Sequence, residues 1–172
     1  MGNQAGSRHA AGSRAWVSLP QLEMQMANET IPIAADHAGY EMKEFLEQEL
    51  EALGYQVTDL GTDSAESTDY GPYAHRLADQ VEKGAATRGV LLCGTGLGMS
   101  YAANRHPGVR AAVVWSPEVA KLARQHNDAN VLVLPARMIS KDDAREILKV
   151  WLETPFDGGR HQRRIEQIEV KP

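Results

Sequence analysis

Cys93 ends the apolar run Gly89-Val90-Leu91-Leu92 and is followed by Gly94-Thr95-Gly96-Leu97-Gly98. A thiol beside three glycines suits proton transfer or nucleophilic attack. Such a turn lets several backbone N–H groups point at one small anion, and a helix after it adds its positive dipole end. A thiol with a pKa of about 8.5 is only a few per cent thiolate at neutral pH, but a helix N-terminus can lower that value. A thiolate there could take a proton from carbon while N–H groups of the turn hold the oxyanion that forms. The plainer alternative is a small buried hydrophobe at a strand end.

Three familiar chemistries fail on single features. A nucleotide P-loop needs Lys after its last glycine, and Met99 stands there. A dinucleotide fingerprint follows the first strand, with an acid about 20 residues on, whereas these glycines follow the third apolar run. A cysteine phosphatase needs an Arg where Met99 again stands. The turn suits an anion, but not in those reactions.

Other polar groups adjoin apolar runs. Asp36-His37 follows the first, Asp69-Tyr70 lies beyond the second, and Arg137 follows the fifth. Open parallel sheets bind ligands at their strand carboxyl ends, where these groups and Cys93 would gather. His126-Asn127 instead precedes the fifth run, at the end of a helix, which needs a tertiary explanation. In the tail, Arg160, Arg163 and Arg164 share a face if helical and could clamp a phosphate. Each has a bland reading: Asp36 as the cap of the next turn, the histidines as surface groups, the arginines as a solvated basic face.

Positioning these groups takes a sheet, and the apolar pattern supplies one. Residues 31–35, 55–60, 89–93, 109–115 and 131–134 read as strands. Between them, residues 41–53 carry Met42, Phe45, Leu46, Leu50 and Leu53 on one face, the spacing of a surface helix that Gly54 stops. A second helix carries Ala74, Leu77, Ala78 and Val81. A third begins near Gly98, Pro117 opens a fourth at its first turn, and residues 142–152 form the last long one. Alternating strands and helices give an α/β fold, a Rossmann-like three-layer αβα sandwich with a five-stranded parallel sheet.

With 172 residues, 42 % apolar and 24 % charged, the chain fits a single domain over 29–172 with a full core. Residues 1–28 are rich in Gly, Ala and Ser, lack the apolar core of a secretory signal, and read as a flexible extension. No apolar run approaches the roughly 20 residues of a membrane span. The net charge of −5 argues against nucleic-acid binding by phosphate neutralisation, so the partner is expected to be small. One cysteine forms no internal disulfide and no Cys-rich zinc site, and a reducing cytoplasm is the simplest setting.

Five segments together resemble the type B ribose-5-phosphate isomerases and their sugar-phosphate isomerase relatives. They are Ala35-Asp36-His37-Ala38-Gly39, Thr68-Asp69-Tyr70, Cys93-Gly94-Thr95-Gly96-Leu97-Gly98, Arg124-Gln125-His126-Asn127-Asp128-Ala129-Asn130-Val131 and Gly158-Gly159-Arg160-His161-Gln162-Arg163-Arg164. The resemblance implies interconversion of ribose 5-phosphate and ribulose 5-phosphate through an enediolate, with no cofactor and no metal. On that basis Cys93 is the base that moves the proton between C2 and C1. Gly94, Gly96, Leu97 and Gly98 hold the enediolate oxygen, and Thr95 relays protons among hydroxyls. His126 opens the furanose ring, with Asp36 or Tyr70 positioning the sugar and Asn127 on a hydroxyl. His37, Arg137, Arg160 and Arg164 hold the phosphate.

In this family the tail arginines reach the neighbouring subunit's site, which implies a homodimer, with a tetramer left open. A second branch uses a Glu where Met99 stands, so the resemblance assigns this chain to the cysteine branch. Tyr70-Gly71-Pro72 departs from the expected pattern, in which Pro follows Tyr directly. Two alternatives stay open: an isomerase of six-carbon sugars such as allose or galactose 6-phosphate, and a non-catalytic sugar-phosphate-binding subunit.

Overall fold

Five short strands form one parallel sheet in the order β2-β1-β3-β5-β4. They are β1 Thr30–Ala35, β2 Gln56–Asp59, β3 Gly89–Cys93, β4 Ala111–Val113 and β5 Val131–Pro135. The helices are α1 Tyr40–Ala52, α2 Tyr70–Glu82, α3 Leu97–Ala103, α4 Pro117–Asn127, α5 Lys141–Glu153 and α6 Arg160–Ile165. This is a computed structural model, and it describes residues 29–169. The expected extension over 1–28 lies outside them.

Alternation along the strands sorts the core into two layers, because successive side chains point to opposite faces. Ile31, Ile33, Val90, Leu92, Leu132 and Leu134 pack against α1, α4 and α5. Their neighbours Ala34, Leu91, Cys93, Val131 and Val133 pack against α2 and α3. Every residue of β3 and β5 is buried, as expected of strands covered on both faces. Each large apolar side chain taken fully out of water stabilises the fold by roughly 1.5–3 kcal/mol, so these central strands anchor everything attached to their ends.

The fourth strand is shorter than its apolar run, because β4 lies at the sheet edge with β5 as its only strand neighbour among the described residues. The Asn104 side chain supplies the missing pairing by accepting from Ala111 N–H at 2.8 Å and donating to Ala111 O at 2.8 Å. At the opposite edge, Lys43 is completely buried on α1 and donates to Asp59 of β2 at 2.7 Å, and to Glu44 and Glu47. Burial alone would lower its pKa. The three carboxylates outweigh burial and hold the ammonium group well above its ordinary range.

Local signals fix where two helices begin. Ser116 accepts from Val119 N–H with Pro117 at the first helical position of α4, and Ser140 with Asp143 forms a capping box on α5. The turn between β1 and α1 is set by contact instead. A Cβ on Gly39 would lie 2.7 Å from Leu92 Cβ and 2.9 Å from Leu92 O, so only glycine lets this turn close on β3. Gly39→Ala should therefore cost about 1–3 kcal/mol, seen as a lower denaturant midpoint with an unchanged m-value.

Candidate active site

The connections leave β1 and β3, which are adjacent, toward opposite faces of the sheet: α1 packs on one core layer and α2 and α3 on the other. That divergence opens a crevice at the carboxyl edge, the usual ligand position in such sheets. The Asp36-His37 turn lies on one side and the Cys93 turn on the other. Asp36 N–H donates to Leu92 O at 3.2 Å and ties the two together.

Asp36 is buried, and its Oδ1 accepts from Ala38 N–H at 2.9 Å and Gly39 N–H at 3.2 Å. The capping role that the sequence left as an alternative is thus observed. His37 Nδ1 lies 3.2 Å from both the N–H and the carbonyl of Thr68. A neutral ring accepts from that N–H and a protonated ring donates to that carbonyl. A ring that accepts at Nδ1 keeps its N–H at Nε2, a donor suited to an anion.

Cys93 is almost fully buried at the end of β3, and Gly96 N–H donates to its Sγ at 3.1 Å. Gly96 reaches this position with φ +78°, a left-handed conformation, and caps α3. An N–H aimed at sulfur suits a sulfur carrying negative charge. Thr95 is exposed at the crown of the turn, as is Leu97. Arg137 lies over Gly94, where a Cβ would come 3.3 Å from its Nη1, and the Arg137 N–H donates to Gly94 O at 3.1 Å.

The Tyr70 ring lies against Gly98, where a Cβ would meet it at 2.6 Å. Gly71 and Pro72 both fall in the first turn of α2. The departure from the expected Tyr-Pro pattern therefore leaves Tyr70 on the glycine turn.

His126, Asn127, Arg160 and Arg164 gather elsewhere. Helix α4 returns from the carboxyl end of β4 to the amino end of β5, so its last residues lie at the amino edge of the sheet. Arg110, just before β4, donates to Asn127 O at 3.1 Å, and Arg124 donates to Ala129 O at 2.6 Å, just before β5. Cys93 pairs with Pro135 at the far end of β5. At about 3.3 Å per residue the two edges are some 13 Å apart along that strand. A single chain therefore does not bring His126 to Cys93, Asp36 or Tyr70.

The amino-edge group has its own order. Asp157 N–H donates to Gln125 O at 3.1 Å and draws the tail against α4. The rings of His126 and His161 stack at 4.3 Å with a 10° interplanar angle. Arg160 and Arg164 are exposed on α6. Sequence reasoning gave no role to His161 or to Thr68. The motif around His161 was visible, but the hold of Thr68 on His37 spans 31 residues and left no local signal.

Burial, followed by the nearby charge of His126, holds His161 below the ordinary imidazole value. An NMR titration should place the His161 midpoint below about 6.5, moving upward in His126→Ala. The sign follows for stability. As pH falls through that range the unfolded chain takes up a proton that folded His161 resists, so this group's contribution is lost toward acid.

A family model described as ribose/galactose isomerase matches residues 31–168. Ribose-5-phosphate isomerase B of Escherichia coli is 44 % identical over 138 residues, covering 80 % of this chain and 93 % of that protein. A solved ribose 5-phosphate isomerase from Thermotoga maritima is 51 % identical, covers 82 % of this chain and 97 % of its own, and superposes with a TM-score of 0.80. Ribose-5-phosphate isomerase B of Mycoplasma genitalium, solved with bound ribulose 5-phosphate, is 41 % identical over 82 % of this chain and 94 % of its own, with a TM-score of 0.79. With most of its described length matched in both sequence and fold, the chain belongs to the ribose/galactose isomerase family.

Proposed function

We propose that this chain interconverts ribose 5-phosphate and ribulose 5-phosphate as a cofactor-free aldose–ketose isomerase. The carrying observation is the thiol of Cys93 held at a turn of backbone donors, with Gly96 N–H on its sulfur. The Mycoplasma genitalium relative with bound ribulose 5-phosphate supports the choice of a five-carbon substrate.

The chemistry divides into two proton movements. His126 gives a proton to the ring oxygen while water takes the proton of the anomeric hydroxyl, which opens the furanose to the aldehyde. Cys93 thiolate then takes the C2 proton. The electron pair moves onto the C1 oxygen, where the N–H groups of Gly94, Gly96, Leu97 and Gly98 hold the enediolate. Returning the proton from sulfur to C1 completes the ketose, with Thr95 relaying protons between the two oxygens. Asp36 and Tyr70 position the sugar and Asn127 takes a hydroxyl. His37 and Arg137 hold the phosphate, joined by Arg160 and Arg164. Met99 has no proton-accepting group, so this reading assigns the base to the thiol.

Because His126, Asn127, Arg160 and Arg164 sit at the opposite edge from Cys93, the complete site requires a second copy of the chain. We infer a homodimer in which the amino edge of one copy faces the carboxyl edge of the other. The exposed rings of Trp115 and Tyr101 and the side chains of Leu97 and Met138 offer apolar surface for that contact. A cytoplasmic location suits a mechanism that depends on a free thiol.

In a coupled assay with a chelator present, Cys93→Ala should lose isomerase activity by roughly 10²–10⁴-fold with its circular dichroism unchanged. Full activity in that variant would remove the thiol from the mechanism. Mixing unfolded Cys93→Ala and His126→Ala chains and refolding them together should restore about a quarter of wild-type activity. Half the resulting dimers are mixed, and each mixed dimer has one intact site. Sites complete within one chain would stay dead in the mixture.

A further inference from the structure

Away from both edges, His75 on α2, His106 just beyond α3 and Glu82 on α2 form a linked chain. His75 Nδ1 lies 2.9 Å from His106 Nε2, and His106 Nδ1 lies 2.7 Å from Glu82 Oε2. The carboxylate assigns the tautomer of His106: Nδ1 donates to Glu82, which leaves a lone pair on Nε2. His75 then supplies the proton between the rings. Two imidazole nitrogens facing one another across a single exchangeable proton are also a chelating pair. A carboxylate on the far nitrogen is the usual partner of a metal-ligating histidine.

We propose that His75 and His106 together bind a divalent transition-metal ion of the zinc, nickel or copper class, with Glu82 orienting His106 and water completing the coordination sphere. Zinc at about 2.0–2.1 Å from both nitrogens, with a tetrahedral angle between them, sets the nitrogens about 3.3 Å apart and the ring centroids about 5.2 Å apart. The centroids already lie 5.2 Å apart, with the ring planes tilted by 48°. Because the nitrogens are 2.9 Å apart, the rings now meet head-on, and binding swings each by roughly 35° to turn its lone pair onto the ion. The His75 proton passes through solvent from Nδ1 to Nε2, so no net proton is released.

Imidazole donors select this metal class over magnesium or calcium. Access is open, since His75 is exposed and the His106 side chain is 18 % exposed. The neighbouring Lys83 ammonium is drawn away by Asp79 at 2.8 Å. Of two other candidate groups, His126 with Asp157 and His161 has its imidazole rings stacked face to face and belongs to the amino-edge site already described, and Glu44, Glu47 and Asp59 already hold the Lys43 ammonium group.

Calorimetric titration of the full chain with zinc chloride should show one ion per chain with micromolar affinity. His75→Ala and His106→Ala should each abolish that binding, and Glu82→Gln should weaken it by roughly 10–100-fold. His126→Ala should leave it unchanged. Zinc at a hundredfold excess over its dissociation constant should raise the melting temperature by roughly 5–10 °C in wild type and not in His75→Gln, which keeps a side-chain hydrogen bond to His106 and so guards against misfolding. Copper bound in place of zinc should show electron-paramagnetic hyperfine structure from two nitrogens. Wild-type zinc affinity in both histidine variants, no binding at millimolar zinc, or loss of binding in His126→Ala would each overturn the assignment.

Discussion

A parallel sheet brings every strand's carboxyl end to one edge, and the helix that connects two strands must end at the other edge. That directional constraint governs the whole arrangement. The turns after β1, β3 and β5 place Asp36, His37, Cys93 and Arg137 together with no special device beyond sheet register. The same rule sends the last turn of α4, with His126 and Asn127, to the opposite side. The anchoring bonds from Arg110 and Arg124 fix that end to the starts of β4 and β5. One chain thus carries its two polar clusters on opposite edges of the sheet, about 13 Å apart along β5.

Within the carboxyl edge, precision comes from close approach. The turn after β1 closes on Leu92, and the Tyr70 ring closes on the first turn of α3 where Gly98 has no side chain. Such contacts join three loops that are distant in sequence into one rigid rim, backed by strands buried on both faces. A rim of this kind holds backbone donors at fixed positions before any charge develops. Preorganisation of that sort is where oxyanion stabilisation gains most of its effect.

Much of this was legible in the residues. The short apolar runs marked all five strands, and the Met42, Leu46 and Leu50 spacing marked α1 to within a residue at each end. The short β4 was overestimated because an apolar run does not reveal that its outer side meets the Asn104 amide instead of another strand. Helix α2 starts at Tyr70 despite Gly71 and Pro72, since proline is tolerated in a first turn that lacks helical acceptors for its N–H groups. Contacts between remote residues left no trace in local pattern. The hold of Thr68 on His37 and the stack of His161 on His126 are products of folding, and only the placement of His126 at a helix end hinted that its partners lay outside the obvious cluster.

Cys93 and Met99 share one stretch of the core although they lie six positions apart in the chain. Both side chains lie in the same buried layer, beneath α2 and beside Val133 and Leu91. Gly96 turns the chain sharply enough that the strand end and the first turn of α3 approach the same space from two directions. Side chains at the two positions therefore reach the same region. Here the thioether fills its half as packing, completely excluded from solvent. An apolar wall on that side strengthens the interaction between the sulfur and the donor that faces it, because lower local polarity raises the value of each remaining hydrogen bond. The buried thioether thus sharpens the hydrogen bond that Gly96 N–H gives the Cys93 sulfur.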